Sequence, residues 1–300
     1  MEITMKILAF GEILWDIFLS QNREITKKKI GGAPFNFAAH CSKLGAESYI
    51  ISAVGGDENG YCALEEAKKL GLNTDFVSVL PQYQTGFCKI TLDNGLPNYD
   101  LVSDVAYDHI PAPELTTGFD AFYMGTLAMR NEESKTAFRE IVKRVSAKEI
   151  LFDVNFRKNF YSRELVEELL SYTTILKISD EEIGFFGKGS AESVSRDIAK
   201  GHPKIKYICL TLGKDGASVF DCKNNEFYQS ENPKSKPVST VGAGDSFAAA
   251  FLVNLLKGEA VEVCLSNAVK LSDFVVTQMG AVPDYSADLL FAELGTKKQL

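Results

Sequence analysis

Short apolar runs typical of β-strands alternate with amphipathic helical patterns along most of the chain. The strand-like runs lie at residues 6–10, 48–54, 121–124, 150–153, 174–178 and 207–212. The helical patterns lie at residues 35–44, 60–70, 132–145, 163–172 and 191–200. This order is typical of βαβ units, so it predicts an α/β fold with a mostly parallel sheet between two layers of helices.

Two segments, at about residues 13–30 and 86–108, have strand-like patterns with no helix between the strands. In the second segment Asn94-Gly95 separates two such runs, 88–92 and 99–102, and Asn-Gly is a strong β-hairpin signal. We expect both segments to pair as a small β-flap that serves as a lid, since a lid shields a reaction from water. An ordinary hairpin at the edge of the sheet is the alternative. The sequence shows no internal repeat or linker, so residues 1–300 are predicted to form a single domain.

Composition narrows the class of protein further. The 300 residues are 45% hydrophobic and 24% charged, which is ordinary for a globular protein. The formal net charge of −8 argues against a nucleic-acid partner, because binding to phosphate backbones depends on Lys and Arg. No apolar run reaches the roughly 18 residues of a membrane span, and no signal peptide is expected. Six scattered cysteines without a C-x-x-C pair, and three histidines apart from them, predict reduced thiols, no zinc site and a cytoplasmic protein.

The segment Gly242-Ala243-Gly244-Asp245 precedes a helical pattern at residues 248–256. Small residues let the backbone approach a ligand, and the free N–H groups and dipole at a helix start attract an anion such as phosphate. Asp245 is then placed to orient a hydroxyl for phosphoryl transfer, and we expect the helix dipole to keep its carboxylate ionised. No G-K-[S/T] follows the second glycine, and Phe247 stands where a dinucleotide fingerprint needs a small residue. A tightly packed helix start without a ligand is the alternative.

A second glycine segment, residues 31–38 with the sequence GGAPFNFA, lies near the amino terminus. The two segments together resemble the two signatures of the ribokinase-like (pfkB) carbohydrate kinases, and the resemblance extends from Gly11 to about Pro283. Within that family the chain is most similar to the fructokinases, because residues 152–157 (FDVNFR) and 104–108 (DVAYD) resemble two of their segments.

The resemblance implies a ribokinase-like three-layer α/β/α sandwich with a small β-flap lid. It also implies ATP-dependent phosphorylation of a sugar hydroxyl, with fructose as the acceptor. A kinase for 2-keto-3-deoxygluconate or ribose, and a non-catalytic sugar-binding regulator, are the alternatives. A phosphofructokinase is disfavoured because no added cationic cluster accompanies the expected sugar-binding residues.

Roles for individual residues follow from the same resemblance. The expected sugar-binding residues are Asp16, Gly31, Gly32, Asn36 and Arg130, with an exposed arginine at a helix start as the alternative for Arg130. The expected catalytic residues are Gly242, Ala243 and Gly244 in the anion hole, Asp245 as the base, and Arg157 beside the transferred phosphate. The expected ATP-binding residues are Ser179, Thr211, Gly213, Lys214, Gly216 and, on the adenine side, Asn267.

Two metal sites are implied as well. Glu182 corresponds to the acid that holds Mg²⁺ through water, and oxygen ligands suit that ion. A monovalent-cation site is implied at Val241, Val275, Gln278, Gly280 and Asp284. Its usual aspartate is replaced by Ser239, which leaves potassium activation open, and Asp284 is a candidate to compensate. An exposed lid edge can pair with that of a second subunit, which predicts a homodimer.

Overall fold

The computed structural model describes residues 5–20, 22, 24–93, 96–115, 118–233 and 235–292. In these residues the β-strands are β1 (Lys6–Phe10), β2 (Leu14–Leu19), β3 (Ile25–Gly31), β4 (Glu47–Gly55), β5 (Val77–Leu80), β6 (Gly86–Asp93), β7 (Leu96–Leu101), β8 (Phe119–Met124), β9 (Ala147–Asp153), β10 (Ile175–Ser179), β11 (Tyr207–Thr211), β12 (Ala217–Asp221) and β13 (Glu226–Ser230). The α-helices are α1 (Ala33–Lys43), α2 (Glu58–Lys69), α3 (Glu132–Arg144), α4 (Arg163–Leu170), α5 (Ile183–Phe186), α6 (Ala191–Gly201), α7 (Ala243–Leu256), α8 (Val261–Val276) and α9 (Ala287–Ala292). Within the same residues, no helix combines the length and the apolar character that crossing a membrane requires.

Nine strands form the main sheet, in the order β13-β12-β11-β10-β9-β8-β1-β4-β5. Neighbouring strands from β11 to β5 pair in parallel, whereas β12 and β13 add an antiparallel edge. Each strand and helix listed from the hydrophobic pattern is present, with its ends shifted by at most three residues. The mostly parallel sheet predicted from that pattern is therefore confirmed.

The core lies on both faces of the main sheet, because successive side chains of a strand point to opposite sides. On one face, Ile7 and Ala9 of β1 belong to a buried cluster that also contains residues of α1, α7 and α8. On the other face, Leu8 and Phe10 belong to a second buried cluster, in which Phe10 packs against Phe138 of α3. Helices thus cover the sheet on both sides, as in a three-layer sandwich.

Four strands form a second sheet, in the order β3-β2-β6-β7. Both segments expected to leave the main sheet contribute to it, but the second one leaves this sheet at Leu101 and ends in a largely buried 3-10 turn, Ala106–His109. Asn94-Gly95 lies outside the described residues, although the flanking strands β6 and β7 pair antiparallel as a hairpin does. That this sheet acts as a lid stays a prediction.

The carboxyl ends of the parallel strands meet at one edge of the main sheet, where α/β folds bind their ligands. Glu12 follows β1, Asp153 ends β9, Ser179 ends β10 and Thr211 ends β11. The first turn of α7 lies against this edge, because Gly244 approaches a side chain of β10. The fold therefore brings the glycine segment of α7 to the strand ends.

Candidate active site

Helix α7 begins at a turn that favours glycine. Gly242 precedes the helix with a φ of +85°, and a Cβ at this position would lie 2.5 Å from the carbonyl oxygen of Ala281. Within the described part of the chain, the backbone N–H groups of Gly244 and Asp245 donate to no acceptor. Because both groups lie at the positive end of the helix dipole, this turn can hold an anion.

Asp245 lies in that first turn and is only 9% exposed. Burial raises the pKa of its carboxyl group to about 6; the nearby Asp153 adds to the rise, and a hydrogen bond from Asn36 opposes it. That bond runs from Nδ2 of Asn36 to Oδ2 of Asp245 over 2.8 Å. A carboxyl group with this pKa is still largely ionised at neutral pH, but it is a stronger base than a helix dipole alone would leave it, because the effect of burial is larger. Asp245 accepts a proton more readily than an exposed aspartate does.

Of the residues expected to bind sugar, Asn36 contacts Asp245, while Gly31 and Gly32 directly precede the helix that carries Asn36. Gly31 ends β3, Gly32 precedes α1, and Asn36 lies in the first turn of α1. A Cβ on Gly31 would lie 3.0 Å from Oδ2 of Asp16, so this carboxylate lies next to the backbone, and burial raises its pKa to about 6. Oδ1 of Asn36 is buried and has no hydrogen-bond partner among the described residues, which leaves it free to accept a hydrogen bond from a ligand.

The side chain of Arg130 is buried, so the alternative of an exposed arginine at a helix start is wrong. Its Nε and Nη2 atoms donate to the two carboxylate oxygens of Asp108 over 2.6 and 2.8 Å, and the two side chains are 5% and 3% exposed. The guanidinium also packs over the ring of Tyr107, 4.9 Å from its centre. Nη1 of Arg130 and Oη of Tyr107 are buried without partners in the part of the chain that the structure describes. The two N–H groups on Nη1 of Arg130 therefore stay available for a ligand, while Asp108 and the carbonyl oxygen of Val102 hold Nε and Nη2.

A cavity of about 660 Å³ borders the start of α7 and reaches Gly244. Its lining includes all but one of the expected ATP-binding residues, namely Ser179, Thr211, Gly213, Lys214 and Gly216. Asn267 is absent from the lining: it is buried between α7 and α8, where its Nδ2 donates to Oδ1 of Asn254 over 3.0 Å. Helix α8 contributes Ser272 and Asp273 to the cavity instead. The adenine-side role of Asn267 stays a prediction, which this arrangement does not support because Nδ2 of the side chain joins the two helices.

Glu182 connects the loop after β9 to the end of β10. Its two carboxylate oxygens accept hydrogen bonds of 2.8 Å from the backbone N–H groups of Phe156 and Ser179. Arg157, in the same loop, is exposed, and its charge opposes the rise that burial causes in the pKa of Asp16 and Asp245. Arg157 therefore lies within electrostatic reach of both the expected sugar residue and the expected base.

At the expected monovalent-cation site, Asp284 is the candidate to replace the aspartate that usually stands at the position of Ser239. Asp284 is fully exposed, and its Oδ1 forms an ion pair with Nζ of Lys43 over 3.0 Å. The carbonyl oxygen of Val275 already accepts the N–H group of Gln278. Asp284 is held at the surface by its lysine partner, so this arrangement does not support its role as a compensating ligand for Ser239.

A further cavity, of about 650 Å³, lies between the second sheet and the loop that precedes α7. Its lining includes Asp16 of β2 together with Lys27 and Lys29, which lie on the same face of β3. Nζ of Lys29 donates to the carbonyl oxygen of Met279 over 3.2 Å. Two cationic side chains therefore share a cavity with an expected sugar-binding residue, which corrects the expectation that no cationic cluster accompanies those residues.

Residues 5–288 of the chain, nearly its whole length, match the pfkB family of carbohydrate kinases. The chain belongs to this family. A pfkB kinase transfers a phosphoryl group from ATP to a sugar, so the reaction class predicted from the two glycine segments is confirmed.

Relatives of this pfkB kinase carry different acceptors in their names. It is 28% identical to probable fructokinase-5 of Arabidopsis thaliana, over 93% of this chain and 94% of the relative. It is 25% identical to an ATP-dependent 6-phosphofructokinase of Thermoanaerobacterium thermosaccharolyticum, over 93% of this chain and 90% of the relative. Its structure superposes on a fructokinase of Vibrio cholerae with a TM-score of 0.80 at 21% identity, covering 96% and 98% of the two chains. This likeness confirms the predicted ribokinase-like fold, while family membership defines the class of reaction and leaves the acceptor to the chemistry of the site.

Glu12 is a buried carboxyl group of the kinase site that the sequence analysis did not single out. Burial raises its pKa to about 7, and its Oε1 accepts the N–H group of Ala33 over 3.3 Å. A Cβ on Gly32 would lie 2.4 Å from the carbonyl oxygen of Glu12, so the two segments are in direct contact. The sequence signal that could have identified Glu12 is its position as a charged residue within the otherwise apolar stretch 7–19.

Proposed function

We propose that this pfkB kinase transfers the γ-phosphoryl group of ATP to a hydroxyl group of fructose. The observation that carries the proposal is that the two cavities meet at the loop before α7, where both are lined by Pro237 and Thr240. From there one cavity extends to Gly244 and the other to Asp16. ATP would occupy the first cavity, and the sugar would bind between Asp16, at the edge of the second cavity, and Asn36, which bonds to Asp245, so that donor and acceptor approach each other at the first turn of α7.

The sugar would be held by polar groups that are already buried. Asp16 presents a carboxylate, and Asn36 presents an oxygen atom without a partner among the described residues. Gly31 and Gly32 let Asp16 and Glu12 pack directly against the backbone, since a Cβ at either position would crowd them. A site built from such groups discriminates strongly between acceptors, because a missing hydroxyl leaves a buried polar atom unpaired.

The reaction would proceed by in-line transfer between the two cavities. The bond between the acceptor oxygen and the γ-phosphorus forms while the bond to the oxygen that bridges the β- and γ-phosphates breaks, and the hydroxyl proton passes to Asp245. The N–H groups of Gly244 and Asp245 would bind the oxygens of the transferred group, on which charge is spread in a loose transition state. Arg157 would add a guanidinium, whose planar donors fit phosphate oxygens.

Magnesium would neutralise the ATP phosphates, and Glu182 is the residue that would hold it. Each of its oxygens accepts one backbone hydrogen bond, and a carboxylate oxygen can accept two, so Glu182 retains capacity to bind a water molecule of the ion's hydration shell. Mg²⁺ commonly keeps several waters when it is bound with phosphates. The donor set therefore fits a water-mediated contact.

An acceptor that carries a negative charge is the second candidate. Lys27 and Lys29 line the same cavity as Asp16, and two ammonium groups would favour the phosphate of a sugar phosphate or the carboxylate of 2-keto-3-deoxygluconate. The 6-phosphofructokinase relative is consistent with this candidate. Nζ of Lys29, however, already donates one hydrogen bond to a carbonyl oxygen, so fewer of its N–H groups are available to bind an acceptor.

A coupled ADP-release assay tests both candidates. It compares fructose, ribose, 2-keto-3-deoxygluconate, adenosine and fructose 6-phosphate at equal Mg²⁺ and ATP, with Asp245→Asn as the blank for contaminating activity. The proposal expects the highest kcat/KM for fructose, and expects Lys27→Ala to leave this value within a factor of about 3. A higher kcat/KM for fructose 6-phosphate or 2-keto-3-deoxygluconate, lost in Lys27→Ala, would establish the charged acceptor instead. Sugar binding without turnover of any acceptor would indicate a non-catalytic regulator.

A further inference from the structure

Two charged side chains form an ion pair inside the main sheet, next to the start of α7. Nζ of Lys177, in β10, donates to Oδ1 of Asp153, in β9, over 2.9 Å, and the side chains are 8% and 0% exposed. Tyr123 of β8 donates its hydroxyl to the other carboxylate oxygen of Asp153 over 3.2 Å. Removing two charges from water costs free energy that their attraction often fails to recover, so the pair contributes little to stability as such.

The ammonium of Lys177 lies against the first turn of α7. A Cβ on Gly244 would lie 2.8 Å from Nζ of Lys177, closer than real contacts allow. The absence of a side chain at Gly244 therefore lets the ammonium reach the same turn whose N–H groups of Gly244 and Asp245 have no acceptor within the described residues. A cation and two free N–H donors thus converge on one place.

Lys177 stays protonated, and therefore positively charged, in this environment. Burial alone would lower its pKa, but the carboxylates of Asp153 and Glu182 outweigh burial and raise it. Asp245 in turn is faced by Asp153 of β9, Lys177 of β10, Arg157 of the loop after β9, Glu12 after β1 and the uncharged Tyr123 of β8.

We propose that Lys177 is an additional catalytic residue, which contacts an oxygen of the phosphoryl group held at the start of α7, and that Asp153 is the residue that positions it. This inference rests on the proposed phosphoryl transfer. Lys177 keeps its proton throughout: the acceptor's proton goes to Asp245, the γ-phosphorus moves from the bridging oxygen to the acceptor oxygen, and ADP leaves. The ammonium stabilises the negative charge that the transferred group carries between the two oxygens.

Three variants separate a catalytic from a structural role. In Lys177→Met the carboxylate of Asp153 loses its partner, whereas the double variant Lys177→Met/Asp153→Asn replaces the pair by two neutral groups and avoids an unpaired buried charge. We expect kcat with the preferred acceptor to fall on the order of 10²–10³ in both variants, as for removal of one preorganised donor, with little change in the acceptor's KM. Asp153→Asn keeps the ammonium and should lose less than about tenfold in kcat.

The pH profile tests whether the charges of the pair act on Asp245, and affinity for a mimic of the transferred group tests contact with that group. The acidic limb of kcat/KM should move to higher pH in Lys177→Met, where Asp245 faces one more uncompensated negative charge, and to lower pH in Asp153→Asn, where it faces one more positive charge. Affinity for ADP with aluminium fluoride, which mimics the transferred group, should fall about as much as kcat in the double variant, while affinity for ADP alone stays unchanged. A double variant with wild-type kcat and wild-type affinity for ADP with aluminium fluoride would overturn the inference and leave the kinase assignment intact. A wild-type protein that turns over none of the five acceptors would overturn the proposed function, and this inference with it.

Discussion

Nδ2 of Asn36 donates a hydrogen bond of 2.8 Å to Oδ2 of Asp245, although 209 positions separate the two residues in the chain. Helices α1 and α7 pack against each other, so the bond crosses a tight helix interface. It connects a residue proposed to bind sugar to the residue proposed to take the sugar's proton. Because it favours the charged form of the carboxyl group, it limits the rise that burial causes in the pKa of Asp245.

Asn36→Ala should therefore change the pH dependence of the reaction. A hydrogen bond to a charged group contributes about 1.5–3 kcal/mol, so its loss should move the acidic limb of kcat/KM upward by about 1–2 pH units. Asn254→Ala is the matched control, since Asn254 is also a buried asparagine of the α1–α7–α8 region but bonds to Ala250 and Asn267. An acidic limb that stays in place in Asn36→Ala would show that the bond does not act on Asp245.

Asp245→Asn should make the folded protein more stable at neutral pH. The pKa of Asp245 rises from 3.8 to about 6 on folding, so the folded state binds this proton more tightly than the unfolded state. The ionised carboxylate consequently costs stability above pH 6, by at most roughly 3 kcal/mol, and the cost disappears as the pH falls below about 4. Urea unfolding of both proteins at pH 8 and pH 4 measures this: the variant should gain at pH 8 and match the wild type at pH 4. An equal difference at the two pH values would contradict the raised pKa.

Replacing only one member of the buried ion pair Arg130–Asp108 should lower the free energy of unfolding strongly. Arg130→Met leaves the carboxylate of Asp108 buried without its partner, and such a change typically costs about 3–5 kcal/mol. Arg130→Met/Asp108→Asn should recover a large part of that loss, because no unpaired charge remains. Urea unfolding of both variants measures these losses. If the pair behaved like a weak surface ion pair, the free energy of unfolding of both variants would stay within about 1 kcal/mol of the wild-type value.

Monovalent cations should have little effect on turnover. Ser239 replaces the usual aspartate, and Asp284 is paired with Lys43 at the surface. We expect kcat in sodium, potassium and a bulky organic cation to agree within a factor of about 2 at equal ionic strength, where general screening is the same. Ser239→Asp should introduce a preference for potassium. Strong potassium activation of the wild type would mean that the carbonyl oxygens of this loop suffice without a carboxylate.

Among the described residues, the sequence predicted six of the seven parallel strands of the main sheet, because each of the six is a compact apolar run. It missed β5, a strand of only four residues at the edge of the sheet. It placed the start of α1 at residue 35, two residues late; Pro34 lies in the first turn of the helix, where proline is tolerated. It did not predict the antiparallel edge formed by β12 and β13, whose residues 217–221 and 226–230 follow the last recognised strand. The pairing of β12 with β11, and of β13 with β12, depends on tertiary contacts rather than on a strong local pattern.

The candidate site was predictable where one short segment carries the chemistry, as in Gly242-Ala243-Gly244-Asp245. It was not predictable where two distant residues form the functional group. The pair of Asp153 and Lys177 depends on the register of two neighbouring strands, and Asn267 bonds to Asn254 because of how two helices pack. The raised pKa of Asp245 likewise depends on burial, which the local sequence does not reveal.

Turnover by Asp245→Asn is the most direct test of the account. Wild-type protein with ATP and Mg²⁺ should release ADP when fructose is added. The variant should bind fructose and ATP with affinities close to those of the wild type but lose on the order of 10²–10⁴ in kcat, as expected for removal of a positioned base. A kcat in Asp245→Asn close to that of the wild type would contradict the central claim that this carboxylate accepts the proton of the sugar.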